Sequence, residues 1–281
     1  MTKSDLVMII ARTLNELAKA RAALDIIGFV PTMGALHAGH LALISAARAA
    51  GLTPTASIFV NPTQFGPKED LSRYPRDEAG DIAKLEEAGC ALLWLPDVTI
   101  MYPAEDSTII QVGQPSLEWE GRQRPGHFNG VATVVAKLLG QMRPQTVFFG
   151  EKDWQQVQVV RRMVKDLCLP VHVTAIPTVR EADGLALSSR NLYLSSAERK
   201  IAPQFHALLK QTSMDMLAGE DPPSALQKAE QGLQAAGFLP DYVALVQAET
   251  LTPMLQLAPP ARLIAAARLG AVRLLDNLSV C

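Results

Sequence analysis

Ile26-Ile27-Gly28-Phe29-Val30, followed at once by Pro31-Thr32-Met33-Gly34-Ala35-Leu36-His37-Ala38-Gly39-His40, is the stretch that decides the fold. Its first five residues are apolar, short and stopped by proline, as in a buried strand. The next ten are polar and glycine-containing, and they lead into a helical pattern over residues 41–50 that Gly51 ends. The same succession repeats. Strands are predicted at 56–60, 90–95, 147–149 and 171–176, with helices at 77–88, 131–139 and 154–167 between them. Upstream, Thr13-Leu14-Asn15-Glu16 has the spacing of a capping box and opens an earlier helix. Strands alternating with helices, without tight hairpin signals, specify a parallel sheet covered on both faces. The expected class is therefore α/β, a Rossmann-like parallel sheet over residues 1–177.

The pattern changes after Pro177. Ser195-Ser196-Ala197-Glu198 is a second capping box, opening a helix with a stripe of Ile201, Phe205, Leu208 and Leu209. Asp221-Pro222-Pro223 breaks it, a helix follows at 224–236, and strands are predicted at 242–246, 263–267 and 272–275. Residues 178–281 thus read as a smaller α+β domain.

Composition narrows the function classes. The chain has 281 residues, 48% hydrophobic and 19% charged, the balance of a globular protein able to bury a core. With 26 Lys+Arg against 28 Asp+Glu the net charge is −2, which argues against a nucleic-acid or anionic-membrane binder. Apolar runs such as residues 6–10 and 91–95 are far too short to span a bilayer, and the N-terminus lacks a signal-peptide pattern. Cys90, Cys168 and Cys281 are too few and too scattered for a disulfide framework. A cytoplasmic protein is expected.

In an open parallel sheet, ligands bind beyond the carboxyl ends of the strands. Three predicted strands end there in unusual segments: residues 31–40, Asn61-Pro62-Thr63-Gln64-Phe65-Gly66, and Gly150-Glu151-Lys152-Asp153-Trp154-Gln155-Gln156. Leu187-Ser188-Ser189-Arg190-Asn191 adds a fourth. The glycines of the first let backbone approach a ligand closely. His37 and His40, three apart at a helix start, can face one side beside free N–H groups that favour phosphate. Lys152 offers a compact charge for phosphate, and Ser188, Ser189 and Arg190 a clamp. Asp153 and Gln156 have capping-box spacing, so Gln156 either secures a helix or points into the site; spacing alone leaves both open. The G-x-x-x-x-G-K-[ST] and G-x-G-x-x-G fingerprints are absent.

The string Met33 to His40 resembles the histidine-containing signature of the nucleotidyltransferase superfamily. Taken with residues 61–65, Tyr74-Pro75-Arg76, Arg124-Pro125-Gly126-His127-Phe128, residues 150–153, residues 187–191 and the tail Arg273-Leu274-Leu275-Asp276-Asn277, it closely resembles the pantothenate synthetase family. Leu187 and Trp154 are small departures that remove no charge or donor.

The resemblance implies a ligase that joins pantoate to β-alanine through pantoyl adenylate, with ATP as co-substrate and Mg²⁺ bridging phosphates, in a homodimer. It implies that Met33, Gly34, Ala35, Leu36, His37, Ala38, Gly39 and His40 hold ATP, with Gly150, Glu151, Lys152, Asp153, Val179, Leu187, Ser188, Ser189 and Arg190. His40, His37, Lys152 and Arg190 would act in catalysis. Gln64, Gln156 and Asn61 would bind substrate, Arg124 and His127 in support, and Asp81 matches a position linked to the metal. A transferase leaving its nucleotide on the product, and a non-catalytic adenylate binder, are the rival readings; the paired glutamines with the full second domain, and the retained catalytic groups, disfavour them respectively.

Overall fold

The computed structural model describes residues 8–67, 69 and 71–280, so residues 6–7 of the first apolar run and Cys281 lie outside it. Six parallel strands form the larger sheet: β1 (Ile9–Ala11), β2 (Ile27–Thr32), β3 (Thr53–Ile58), β4 (Leu92–Trp94), β5 (Thr146–Gly150) and β6 (His172–Ile176), in the order β1-β4-β3-β2-β5-β6. Helices α1 (Leu14–Ala22), α2 (Ala38–Ala49), α3 (Glu78–Glu87), α4 (Val98–Met101), α5 (Glu120–Gln123), α6 (His127–Met142) and α7 (Trp154–Asp166) connect them. Two apolar clusters fill the faces. Phe29, Trp94, Val147 and α6 build one side, while Val30, Ile44, Leu93 and Phe148 build the other. Adjacent residues of one strand go to opposite sides, as the pleat requires.

The strand at 9–11 was not anticipated, because three residues are too short to show a period. Elsewhere the elements stand within a few residues of expectation, with three informative shifts. β2 runs through Pro31 to Thr32, since only its neighbour's bonds, not the proline's missing N–H, are needed there. The helix expected at 131–139 begins at His127, after a left-handed Gly126. The helix opened by the Ser195 box divides at Pro203.

The smaller domain follows, with α8 (Ser196–Ile201), α9 (Pro203–Leu217) and α10 (Pro222–Ala235) packed on an antiparallel sheet of β7 (Leu239–Gln247), β8 (Ala261–Leu269) and β9 (Val272–Ser279). Its core is Phe205, Leu209, Leu233, Phe238, Leu263 and their neighbours. Trp154 and Trp119 join the two parts: their indole N–H groups donate to the carbonyls of Ala248 (2.6 Å) and Leu251 (2.9 Å). Trp154 also packs with Val246, Leu251 and Ile264. Among the described residues no helix is long and apolar enough to cross a membrane.

β2 and β3 pair over six residues, from Ile27 with Thr53 to Thr32 with Ile58. β2 and β5 pair at only Gly28 with Thr146 and Phe29 with Val147. The two central strands therefore part before their carboxyl ends, and a cleft opens between Thr32 and Gly150. On its far wall, Gly130 of α6 lies so close to the turn Pro62–Gln64 that a Cβ would overlap the Thr63 carbonyl and come within 2.7 Å of the Gln64 nitrogen. Gly130→Ala is expected to cost ~1–3 kcal/mol through overpacking. An unfolding free energy lowered by that amount in denaturant titration, with the Gln64 turn displaced, checks this.

Candidate functional site

The cleft has a volume of about 230 Å³ and opens to solvent. Its first wall is the turn after β2. Gly34 and Ala35 both adopt left-handed backbone (φ +82° and +52°), which is cheap for glycine but not for alanine. Asp81 of α3 holds this shape: its buried carboxylate accepts the N–H of Ala35 at 2.7 Å and of Leu36 at 2.8 Å. Lys84 donates to the Leu36 carbonyl at 3.0 Å from the same helix face. Gly34 donates to the Thr32 hydroxyl at 3.2 Å.

The turn delivers His37 to the N-cap of α2 and His40 to its first turn, with ring centroids 4.1 Å apart. Each Nδ1 accepts a backbone N–H, His37 from Gly39 at 3.1 Å and His40 from His37 at 3.3 Å. A nitrogen that accepts carries no proton, so both rings are neutral Nε2–H tautomers. Burial, reinforced by His37, lowers the His40 pKa to about 3. Burial and the Lys152 ammonium likewise lower that of His37. Two neutral N–H donors thus sit at a helix N-terminus, the arrangement that suits a phosphate.

Asn61 and Gln64 form the second wall. Asn61, 1% exposed, donates to the Gln64 side-chain oxygen (3.0 Å) and the Gly130 carbonyl (3.2 Å), and accepts from Tyr102 (2.8 Å) and Thr63. Its polar atoms are engaged in holding Gln64, whose amide nitrogen reaches the Met33 sulfur at 3.1 Å. Beneath them Phe59, Val131, Val134, Val135 and Leu138 make an apolar floor. The spacing of that stripe was legible as a buried helix; that part of it lines a cleft was not.

The third wall is the turn Glu151–Asp153 after β5. Lys152 lies 3.5 Å from Asp153, and both line the cleft with Gly150 and Gln156. Burial opposes ionisation of Asp153, but Lys152 and Arg190 outweigh it and hold its carboxyl below the usual range. Asp153 makes no capping hydrogen bond to α7, so the capping-box alternative does not form and Gln156 faces the cleft. Glu151 turns towards Arg262 of β8, 3.5 Å away.

Val179, Leu187, Ser188, Ser189 and Arg190 close the fourth side. Leu187 donates to the Val179 carbonyl (3.0 Å) across a small hairpin, and Ser188 accepts the Arg190 backbone N–H at 3.3 Å. Arg180 anchors the hairpin to buried Asp276 through two bonds of 2.6 and 2.8 Å.

Three expectations change. Asp81 does not face the cleft; its oxygens serve the Ala35 and Leu36 amides, so it shapes the turn instead of meeting a metal. No group of three His, Cys, Asp or Glu side chains among the described residues could hold an ion. Among the described residues the protein thus builds no cage of its own for a metal. Arg124 and His127 bond the Gln64 carbonyl and line a smaller hollow beside the cleft, which Lys152, Asp153 and Gln156 also border. His127 donates from Nδ1 to the Gln64 carbonyl at 2.9 Å, and its Nε2 accepts from Arg124 at 3.1 Å. Arg124 is held by Glu69 at 2.6 Å. Burial, then Arg124, lowers the His127 pKa to about 4, as this neutral pairing demands. Gly34, Ala35 and Leu36 act through backbone shape, and Ala38 is exposed. The positioning roles of Asp81, Lys84 and Glu69 carry no local sequence signal, since each depends on a contact across the fold.

A doubly wound parallel sheet gathers two neutral histidines, a lysine and an arginine where its central strands part, an arrangement suited to a phosphate-bearing ligand. The family model described as pantoate-beta-alanine ligase matches residues 7–279. Pantothenate synthetase from Acidiphilium cryptum is 55% identical over 278 residues, covering 97% of this chain and all of that one. A crystal structure of pantothenate synthetase from Thermus thermophilus matches with a TM-score of 0.92 at 51% identity, over 97% of this chain and 99% of that one. Pantoate-beta-alanine ligase from Francisella tularensis, complexed with beta-gamma ATP and beta-alanine, matches with a TM-score of 0.83 at 35% identity, over 97% and 98%. The chain belongs to the pantoate-beta-alanine ligase family.

Two outcomes are expected. Asp81→Asn keeps the shape but sets an amide N–H against a backbone N–H, at a cost of ~1–3 kcal/mol; an unchanged denaturant midpoint would refute the clamp. His40, with a folded pKa of about 3 against an ordinary 6.5, binds fewer protons folded than unfolded in that window. Stability present above pH 6.5 should therefore be lost as pH falls towards 3, and His40→Gln should flatten that slope.

Proposed function

We propose that this chain condenses pantoate with β-alanine at the expense of ATP, in two steps. A pantoate carboxylate oxygen attacks the α-phosphorus, the bond to the β-phosphate bridging oxygen breaks, and pyrophosphate leaves. The free amine of β-alanine then attacks the acyl carbon of pantoyl adenylate, AMP leaves, and the amine gives up a proton. The observation that carries this reading is the neutral His37–His40 pair at the start of α2, in one cleft with Lys152 and Arg190. A carboxylate already ionised at neutral pH needs no base; it needs charge neutralisation and alignment with the triphosphate.

In this division of labour His40 and His37 donate from Nε2 to phosphate oxygens without carrying charge themselves. Lys152 and Arg190 take the charge that develops on the leaving pyrophosphate. Met33, Gly39 and the backbone of residues 34–36 seat the nucleotide with Gly150, Asp153, Val179 and residues 187–189. Gln64 and Gln156 hold the polar ends of pantoate, and its paired methyl groups fit the floor of Val131, Val134 and Val135. Asn61, Arg124 and His127 hold Gln64 in place. Magnesium enters as the nucleotide's own counter-ion, because Mg²⁺ is commonly bound through substrate phosphates with few protein ligands. The proposal further includes residues 178–281 closing over residues 1–177, a homodimer as the family resemblance implies, and a cytoplasmic setting where ATP is supplied.

Pyrophosphate–ATP exchange should depend on pantoate and proceed without β-alanine. Its absence, with no pantothenate formed when β-alanine is added, would overturn the reading. His40→Ala and Lys152→Ala should each slow exchange by about 10²–10³-fold, as for a lost transition-state donor, with melting temperatures near that of the parent.

A further inference from the structure

The tail Arg273-Leu274-Leu275-Asp276-Asn277 supplies no group to the cleft, yet it touches the segments that do. In β9, Val272 and Leu274 are buried in the core of the smaller domain. The alternate residues have different partners: Arg273 meets Glu120 at 2.7 Å, and Asn277 meets the turn after β5.

Asn277 is 5% exposed and fully used. Its amide nitrogen donates to the carbonyls of Glu151 (2.9 Å) and Lys152 (2.8 Å), one hydrogen for each. Its side-chain oxygen accepts from Arg262. Arg262 is itself fixed, lying 3.6 Å from the Trp154 ring centre and 3.5 Å from the Glu151 carboxylate. The turn Glu151–Asp153 has no side-chain cap at its start, and none forms at the start of α7 behind it. A bond to the carbonyl of Lys152 constrains the residue whose side chain enters the cleft.

We propose that Asn277, held by Arg262, is a positioning residue for adenylation: it fixes the Glu151–Asp153 turn so that the Lys152 ammonium reaches the nucleotide phosphates. The proposal rests on the reading of Lys152 as a phosphate-binding group. It places on the smaller domain a residue that sets the geometry of the larger one's charge.

A double-mutant cycle tests it, in the full-length protein. Asn277→Ala should lower pantoate-dependent exchange by about 10- to 100-fold, the scale of a slightly misplaced group. In a Lys152→Ala background the same substitution should cost less than about threefold, because residues acting as a unit are not additive. Transfer from supplied pantoyl adenylate to β-alanine, which handles no pyrophosphate, should stay within about threefold of the parent in Asn277→Ala. Equal losses in both backgrounds, or exchange and transfer falling together with the melting temperature, would assign Asn277 to domain packing and overturn the proposal. If Asn277→Ala does not fold, Asn277→Asp, which keeps the shape and removes both donors, is read the same way. A parent enzyme without pantoate-dependent exchange would remove the functional reading and this proposal together; an active parent with an equally active Asn277→Ala variant would remove this proposal alone.

Discussion

The molecule depends on the parting of two hydrogen-bonded strands. β2 stays in register with β3 along its whole length but leaves β5 after Phe29 and Val147. Parallel strands need crossover connections, and here the segments after β2 and β5 are drawn to opposite sides of that gap. Two of the four cleft walls are then a matter of what those segments carry. The turn after β2 brings two imidazoles, and the turn after β5 brings an ammonium. The gap between them is floored by α6 and lined by the ends of both strands where they no longer pair with each other, Pro31 and Thr32 on one side and Phe149 and Gly150 on the other.

Electrostatics in such a gap favours groups that need not be charged to act. Burial holds His40 and His37 neutral, and backbone N–H groups select the tautomer in which Nε2 bears the proton. His127 shows the same logic in reverse, with its proton on Nδ1 because its partners are a carbonyl and a guanidinium. Lys152 and Arg190 supply the formal charge, moderated by Asp153. A chain with net charge −2 can therefore handle a polyanion with very few basic residues. The overall charge argues against a polynucleotide footprint but is silent on a site of this size.

The smaller domain is attached through polar contacts that also reach the site. Arg273 pairs with Glu120 and Arg262 stacks on Trp154 beside Glu151, while Arg180 and Asp276, both in the smaller domain, tie the hairpin of Val179 and Leu187 to β9. Breaking one partner of such a buried pair costs about 3–5 kcal/mol, whereas an apolar replacement of the whole would cost little. Buried ion pairs are thus a poor route to stability alone. Two of the three sit at the bases of segments that line the cleft, Arg262 at the Glu151–Asp153 turn and Arg180 at the hairpin of Val179 and Leu187, where they register those segments.

Much of this could be read from the chain itself. Short apolar runs ended by proline, glycine or asparagine, alternating with helical periodicity, encode local preferences, and each acts within a few residues. The motif segments at strand ends were visible for the same reason, because glycines, histidines and hydroxyls cluster in sequence before they cluster in space. Gln156 marks the limit, since its spacing served a helix cap and a substrate equally, and only the uncapped start of α7 decides between them. Asp81, Arg124 and Asn277 go further. Asp81 is 46 residues from Ala35, and Asn277 is 125 from Lys152. The sequence by itself determined the alternating architecture and the identity of the cleft-lining segments. The tertiary structure alone decided which polar side chains line the cleft and which hold those that do, because hydrogen bonds to backbone across a fold leave no periodicity in the chain.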